Sequence, residues 1–388
     1  MPCRGLPGIA SPLRKKEMIM DARFPIFQIF ASATWGGGEQ FVADLSRRLL
    51  DDGRPVVFVS RRSRAIAEHT ADIGAPLHCL PLKGMPDLVS ALLLARLLLR
   101  YRPETIHVHH FKDAFTALYA RALVRLFGFR PQIVLTRHLV RPAKSGRLHR
   151  WMYRRLDRVA FVSELARREF FSSGPVLDRS RTTVIPNSSP AARTEGEAPD
   201  LRERYGLTPE MPVLLFCGRL APEKGCDVLL RACARLGEER LFALFFAGAA
   251  ADTGYLAALR AQAAALPSGM RIEFLGFVQQ VGALLAQADI CVQPSVVAEA
   301  GSLTVIEAMQ AGCAVVASDN GSQPEYVEAG STGLLVPPGD EEALADALAR
   351  LMDDISLRRT MGKAARRRFD EEFSYERFYA KYLALYDE

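Results

Sequence analysis

The sequence predicts an α/β protein made of two parallel-sheet domains in tandem. Three observations carry that prediction. Short apolar runs rich in β-branched residues alternate with helical patterns along nearly the whole chain, which is the signature of parallel α/β architecture. The alternation breaks once, over residues 187–202, a stretch poor in apolar residues that holds Pro190, Gly196 and Pro199, and then restarts. A length of 388 residues exceeds what one hydrophobic core usually organises.

In the first half the pattern predicts strands over 24–32, 55–60, 105–109, 132–136 and 158–163, with helices over 39–50, 88–101, 114–126 and 148–156. In the second half it predicts strands over 213–217, 243–247, 272–275, 290–293, 314–318 and 333–336, with helices over 226–236, 256–264, 304–311 and 341–352. An aromatic helical pattern, 373–386, closes the chain. The expected divisions are a leader at 1–20, a first domain at 21–190, a linker at 191–205, a second domain at 206–368 and a terminal helix at 369–388 packing back on the first domain. Two open sheets in tandem leave a cleft between them and bind ligands outside the C-terminal ends of their strands. No G-x-G-x-x-G follows the first strand, which disfavours a dehydrogenase-type dinucleotide site.

Composition narrows the class further. Hydrophobic residues make up 49% and charged residues 24%, which excludes collagen-like, disordered and disulfide-scaffold proteins. The seven cysteines (Cys3, Cys79, Cys217, Cys226, Cys233, Cys291 and Cys313) form no C-x-x-C pair and read as small buried hydrophobes in a reducing, cytoplasmic compartment. The first twenty residues carry Arg4, Arg14, Lys15 and Lys16 but no apolar core, so they read as a disordered or over-extended start rather than a signal peptide. The most apolar run, 88–99, is interrupted by Ser90 and Arg96 and is too short to span a bilayer.

Charge is uneven. Residues 1–190 hold 31 Lys+Arg against 15 Asp+Glu, a net +16, and the remainder holds 19 against 29, a net −10. Within the basic half Lys144, Arg147, Arg150, Arg154 and Arg158 recur at helical spacing. Such a helix over 144–158 would present either a solvated face or a surface for anionic lipid. Nucleic acid is not expected, because no aromatic platform or known motif accompanies the charge.

Four constellations carry chemistry. Glu299-Ala-Gly-Ser-Leu-Thr-Val-Ile-Glu307 opens a helix after the expected strand 290–293. Its two carboxylates fit either a hydroxyl-rich ligand or, more plainly, a solvated loop acid and a cap-region charge. Gly218-Arg219-Leu-Ala-Pro-Glu-Lys224-Gly225 follows the strand 213–217, and Arg and Lys ahead of a helix N-terminus suit a diphosphate. Trp35-Gly36-Gly37-Gly38-Glu39 is a glycine turn that allows close backbone approach to a ligand or, equally, tight packing. His107, His109 and His110 end one strand and His138 follows the next. No carboxylate or thiolate stands at ligand spacing beside them, so a polar wall is expected rather than a metal site.

With these residues in place, the chain resembles glycosyltransferase family 4, the group 1 glycosyltransferases, over about residues 24–386. The resemblance rests on Gly36-Gly-Gly-Glu39, His107-Val-His109, Thr136-Arg-His138, Val184-Ile-Pro-Asn187, Gly218-Arg-Leu…Glu223-Lys-Gly225, Glu299…Glu307-Ala308 and Val315-Val-Ala-Ser-Asp319. It implies the GT-B fold, two Rossmann-like parallel-sheet domains facing across a cleft, and a retaining, metal-independent transferase acting on a UDP- or GDP-sugar. By the same resemblance Arg219 and Lys224 bind the donor diphosphate, Glu299 contacts the sugar and His138 lines the reaction centre. Glu307 holds the ribose, and Gly37, Gly38, His109, Gly218, Gly301, Ser302, Leu303 and Thr304 complete the substrate contacts. Gly301-Ser302 and Ser188 depart from the usual family pattern without removing a charge. The expected acceptor is a glycan or lipid-linked hydroxyl in cell-envelope polysaccharide or lipopolysaccharide synthesis, at the inner face of the cytoplasmic membrane. A nucleotide-sugar epimerase, a phosphorylase-like enzyme and a silent nucleotide-sugar-binding subunit are the alternatives.

Overall fold

Every strand expected from the sequence is present in the computed structural model, and each runs parallel to its neighbours. The structure describes residues 24–387 apart from 194, 196, 197 and 251. The expected leader and part of the expected linker lie outside the described residues. The first sheet contains β1 (Ile26–Phe30), β2 (Val56–Ser60), β3 (Leu77–Cys79), β4 (Thr105–Val108), β5 (Gln132–Arg137), β6 (Arg158–Phe161) and β7 (Thr182–Val184), in the order β3-β2-β1-β4-β5-β6-β7. The second contains β8 (Val213–Cys217), β9 (Phe242–Ala247), β10 (Met270–Gly276), β11 (Ile290–Gln293), β12 (Ala314–Ser318) and β13 (Gly333–Val336), in the order β10-β9-β8-β11-β12-β13. These are doubly wound sheets, and the strand order of each reverses direction beside its first strand, where such folds place ligands.

The chain forms two compact units. One comprises residues up to Val162, Ala166–Ile185 and the residues from Tyr379 on; the other comprises Ser163–Leu165 and Pro186–Phe378. The first is built on a core that includes Phe27, Ile29, Val108, Phe115 and Phe161. The second has apolar layers on both sheet faces, Leu214, Phe216 and Phe246 on one and Leu215, Phe245 and Ile306 on the other. That two-sided burial explains why its strands read as unbroken apolar runs. Asp87, Asp252, Asp340 and Asp354 cap helices by accepting from backbone N–H groups at 2.8–2.9 Å, each cap contributing on the order of 1 kcal/mol.

Three departures from expectation have physical causes. The basic stretch over 144–158 is not one helix: only Arg147–Tyr153 is helical, and Arg158 already belongs to β6. The chain leaves the helix so that Asp157 can pair with Arg121 and Arg130 and accept from Ile133 N at 2.8 Å. The helix Ile355–Arg368 had no visible apolar stripe because its buried side consists of Arg358, Met361, Gly362 and Ala365. A Cβ at Gly362 would stand 2.1 Å from the Gly312 carbonyl oxygen, so close backbone approach, not apolar bulk, seats this helix. Cys79 is disulfide-bonded, against the expectation of seven free thiols, whereas Cys217, Cys226, Cys233, Cys291 and Cys313 are free and buried.

The end of the chain completes the first unit. The helix Tyr375–Asp387 brings the Tyr386 hydroxyl to His107 Nδ1 at 2.7 Å and the Tyr382 hydroxyl to Thr136 Oγ1 at 3.1 Å. Thr136 Oγ1 also lies 2.7 Å from His107 Nε2, so both ring nitrogens of this buried histidine are used. Arg54 grips the Asp387 carboxylate through two bonds of 2.8 and 2.9 Å. Next to it, His109 Nε2 meets Gln28 Oε1 at 2.7 Å. Burial holds both imidazoles well below their ordinary pKa, keeping them neutral.

Neutral buried imidazoles make stability depend on pH in one direction. Below about 6.5 the unfolded chain takes up protons that the folded chain refuses, so stability is intact above that pH and falls beneath it, by roughly 1.4 kcal/mol per histidine per pH unit. Calorimetry from about pH 7 to about pH 5 should show a falling Tm, and His109→Gln should make the slope shallower. A slope that His109→Gln leaves unchanged would refute the burial of a neutral imidazole here.

Candidate active site

In the second unit the candidate residues gather where β8 and β11, neighbours in the sheet, release their loops. The hub is the Cys217 carbonyl at the end of β8, which accepts from Gln293 Nε2 at 3.0 Å and from Thr304 Oγ1 at 3.1 Å. One carbonyl thereby fixes the end of β11 and the first turn of the helix Leu303–Ala311 beside Gly218. Ser302 caps that helix, its Oγ accepting from Val305 N at 3.4 Å, and Leu303 is its first residue. The Gly301 carbonyl accepts from Asn187 Nδ2 at 3.0 Å.

The two loops are locked backbone to backbone. A Cβ on Gly225, which has φ +70°, would lie 2.1 Å from the Pro294 carbonyl oxygen. The Glu223 carbonyl accepts from Val296 N at 3.0 Å and Val297 N at 3.3 Å. The outcome is an ion pair of 2.9 Å between Lys224 Nζ and Glu299 Oε2, both largely buried. Glu299 Oε1 takes the Ser295 hydroxyl. The loop after β12 supports it: the Glu299 carbonyl accepts from Ser322 N at 2.8 Å, and a Cβ at Gly321 would come within 2.4 Å of Glu299 N.

Arg219 stands on the same loop as Lys224, more exposed, with its guanidinium against Glu223. Glu307 lies inside, its side chain 3% exposed. Its Oε1 accepts from Arg193 Nε at 2.6 Å and Ser189 Oγ at 3.5 Å, and Oε2 accepts from none of the described residues. Burial pushes this carboxyl above its ordinary range, and the Arg193 guanidinium acts against that rise. Arg193, Ser189 and Gly321 escaped the sequence reading. The first two lie in the apolar-poor stretch 187–202 and carry no motif, and a lone glycine after a strand carries none either.

The first unit holds a separate pocket of about 160 Å³ lined in part by Gly38, His109, Phe111, Thr136 and His138. It brings together Gly38, His109 and His138, each expected to contact substrate, while Gly37 starts the helix Gly37–Asp51 beside it. A Cβ at Gly38 would meet nothing within 4 Å, so the glycine leaves room instead of serving packing. The His138 ring packs on Phe41 and His109, with centroids 5.0 and 5.8 Å away. Burial pushes its pKa down to about 3. His138 Nε2 and His109 Nδ1 are buried without a hydrogen-bond partner among the described residues. A larger open cavity of about 1160 Å³ lies among arginines at the starts of β4, β5 and β6. Ligands of such sheets bind at the opposite strand ends, so the smaller pocket is the candidate. Among the described residues no three His, Cys, Asp or Glu side chains converge as a metal shell.

Comparison with known proteins gives the family and the fold. Residues 35–191 match the family described as Glycosyltransferase Family 4, and residues 197–368 match Glycosyl transferases group 1. The chain is 35% identical to a phosphatidyl-myo-inositol mannosyltransferase of Mycobacterium leprae over 61% of each chain. It is 29% identical to an alpha-maltose-1-phosphate synthase of Mycolicibacterium smegmatis over 73% of this chain and 79% of that one. With an alpha-D-kanosaminyltransferase of Streptomyces kanamyceticus the identity is 32%, and the match spans less than half of that relative, 45%. Among solved structures, a glycosyltransferase from Rickettsia africae superposes with a TM-score of 0.82 at 19% identity, covering 94% of this chain and 98% of that one. HepE from Anabaena, solved with UDP and glucose, gives 0.79 at 20% identity, covering 93% and 99%. These likenesses establish the GT-B fold. With two family descriptions matching in order across nearly the whole chain, it belongs to the group 1 glycosyltransferases of glycosyltransferase family 4.

Proposed function

We propose that the chain is a retaining, metal-independent hexosyltransferase that moves a sugar from a UDP- or GDP-sugar to a hydroxyl of a glycan or lipid-linked acceptor. The observation that carries this reading is the Lys224–Glu299 pair of 2.9 Å at the adjoining ends of β8 and β11. It sets a cation for a diphosphate beside a carboxylate for sugar hydroxyls. Arg219, exposed on the same loop, can swing from Glu223 to a second phosphate oxygen. Glu307 Oε2 is left for the ribose hydroxyls, while Oε1 is held by Arg193 and Ser189.

In the reaction the bond between the anomeric carbon and the diphosphate oxygen breaks, a bond to the acceptor oxygen forms on the same face, and the acceptor hydroxyl's proton passes to the departing diphosphate. Charge then grows on the departing diphosphate, and Lys224 and Arg219 are in place to stabilise it. His138, neutral across the physiological range, offers a hydrogen bond to a hydroxyl without adding a charge beside it. That solved relatives of this fold hold UDP or UDP-glucose supports UDP as the first nucleotide to try. The names of the mannosyltransferase relatives support a lipid-linked acceptor. A place on the cytoplasmic face of the membrane, in cell-envelope or lipopolysaccharide synthesis, suits the basic first half, including Lys144, Arg147, Arg150, Arg154 and Arg158, although the disulfide at Cys79 does not favour a reducing compartment.

The reading has direct tests. A panel of nucleotide sugars should include one that raises the Tm of the protein, since a ligand that binds only the folded state stabilises it. With that donor, Lys224→Ala and Glu307→Ala should each lower kcat/KM by about a hundredfold or more. Transfer at near the wild-type rate in either variant would overturn the assignment. Gly38→Ala should fold normally, because its Cβ meets nothing, yet raise the acceptor KM. Gly321→Ala should lower both donor affinity and stability, because it pushes on the backbone of Glu299.

A further inference from the structure

The helix Leu88–Tyr101 of the first unit turns apolar side chains to solvent. Leu88 is 63% exposed, Val89 61%, Leu92 57% and Leu93 38%, and Met85 just before them is 40% exposed. The opposite side, Ser90, Ala91, Leu94, Ala95 and Leu98, is buried against the helix Phe111–Arg125 and the sheet. At about 100° per residue Leu88, Leu92, Arg96, Val89, Arg100 and Leu93 fall within an arc of about 140°, so this is a second continuous face and not scattered exposure.

Charge identifies what covers it. Between residues 82 and 102 every exposed charged side chain is a cation: Lys83, Arg96, Arg100 and Arg102. The single acid there, Asp87, is buried as the helix cap. At its C-terminal end the helix leads into Arg102, which lines the arginine-rich cavity with Arg125, Arg130, Arg154 and Arg155. The half of the chain that carries it has a net charge of +16. A second copy would set like charges against each other, whereas an anionic bilayer satisfies both the apolar face and its cationic rim. At 14 residues the helix is about 21 Å long, so it can lie in the interface but not cross it.

We infer that this helix is an interfacial anchor, with Leu88, Val89, Leu92 and Leu93 entering the acyl boundary of an anionic membrane while Lys83, Arg96 and Arg100 meet its head groups. Its apolar residues lie in the first half of the helix, at the strand ends that carry the candidate pocket. The loop before it reaches the same rim, since a Cβ on Gly84 would touch the Lys112 side chain at 3.5 Å, next to Phe111 of the pocket. The purpose of the anchor rests on the reading of a lipid-linked acceptor; the binding itself does not.

The test is sedimentation of the full-length protein with vesicles of phosphatidylcholine containing about a third phosphatidylglycerol, against phosphatidylcholine alone. The wild type should bind the anionic vesicles, and the Leu88→Asp/Leu92→Asp double variant should lose at least about tenfold in partitioning. Leu241→Asp, at an exposed apolar site of the second unit, should bind as the wild type does. Arg96→Gln/Arg100→Gln should weaken binding and reduce its salt dependence. No binding, equal binding by the double variant, or equal binding to both vesicle types would overturn the inference. So would a wild-type dimer that the double variant dissociates without any vesicle binding. The double variant should keep the donor-induced rise in Tm. If vesicles bind but no nucleotide sugar raises the Tm, the transferase reading fails and the anchor stands.

Discussion

A single buried carbonyl organises the candidate donor site. The peptide oxygen of Cys217 accepts a side-chain N–H from β11 and a hydroxyl from the helix that carries Glu307. An unsatisfied carbonyl in this apolar layer would cost on the order of 1–3 kcal/mol, so both donors are pinned to it. With the strand end fixed, Gly225 against Pro294 and Gly321 against Glu299 leave the loops little freedom. Lys224 and Glu299 meet because three strand ends are tied together first.

The charged groups of this site come already paired: Lys224 with Glu299, Arg219 with Glu223, Glu307 with Arg193. A buried carboxylate without a partner would carry a penalty of several kcal/mol, and pairing removes most of it. On the proposed reading this arrangement works as exchange. A diphosphate would offer Lys224 and Arg219 more negative charge than a carboxylate does, and sugar hydroxyls would then donate to the Glu299 oxygens so released. The pocket of the first unit follows the opposite principle, with neutral imidazoles held by Tyr386, Thr136 and Gln28 and two ring nitrogens left over. On the proposed reading, hydroxyls are recognised there by geometry, not charge.

The sequence revealed what depends on periodicity and on local motifs. Strands of the second half, such as 213–217 and 290–293, could be read to the residue because two buried faces make them apolar throughout. The three-residue strands β3 and β7 were too short to show a period. Lys224 and Glu299 were legible through their motifs, but Arg193 was not, because its role comes only from tertiary contact with Glu307. The terminal helix was visible as an aromatic pattern, yet the bond from Tyr386 to His107, 279 residues away, has no local trace.

The two basic amphipathic stretches of the first half show most clearly where pattern and exposure part. Residues 144–158 have regularly spaced cations, which suggests a membrane-facing helix. There, however, Met152, Tyr153 and Leu156 are consumed by the core, and the helix ends after seven residues. Residues 88–99 look like a core helix, since they are nearly all apolar. A helix has one core-facing side, however, and Leu94, Ala95 and Leu98 already fill it. Apolar residues beyond what that side can hold must face outward, and evenly spaced leucines cannot say which side will be covered. An excess of apolar surface over available core, with only cations exposed among the charged residues of 82–102, is the physical reason for inferring a partner that is both oily and negative.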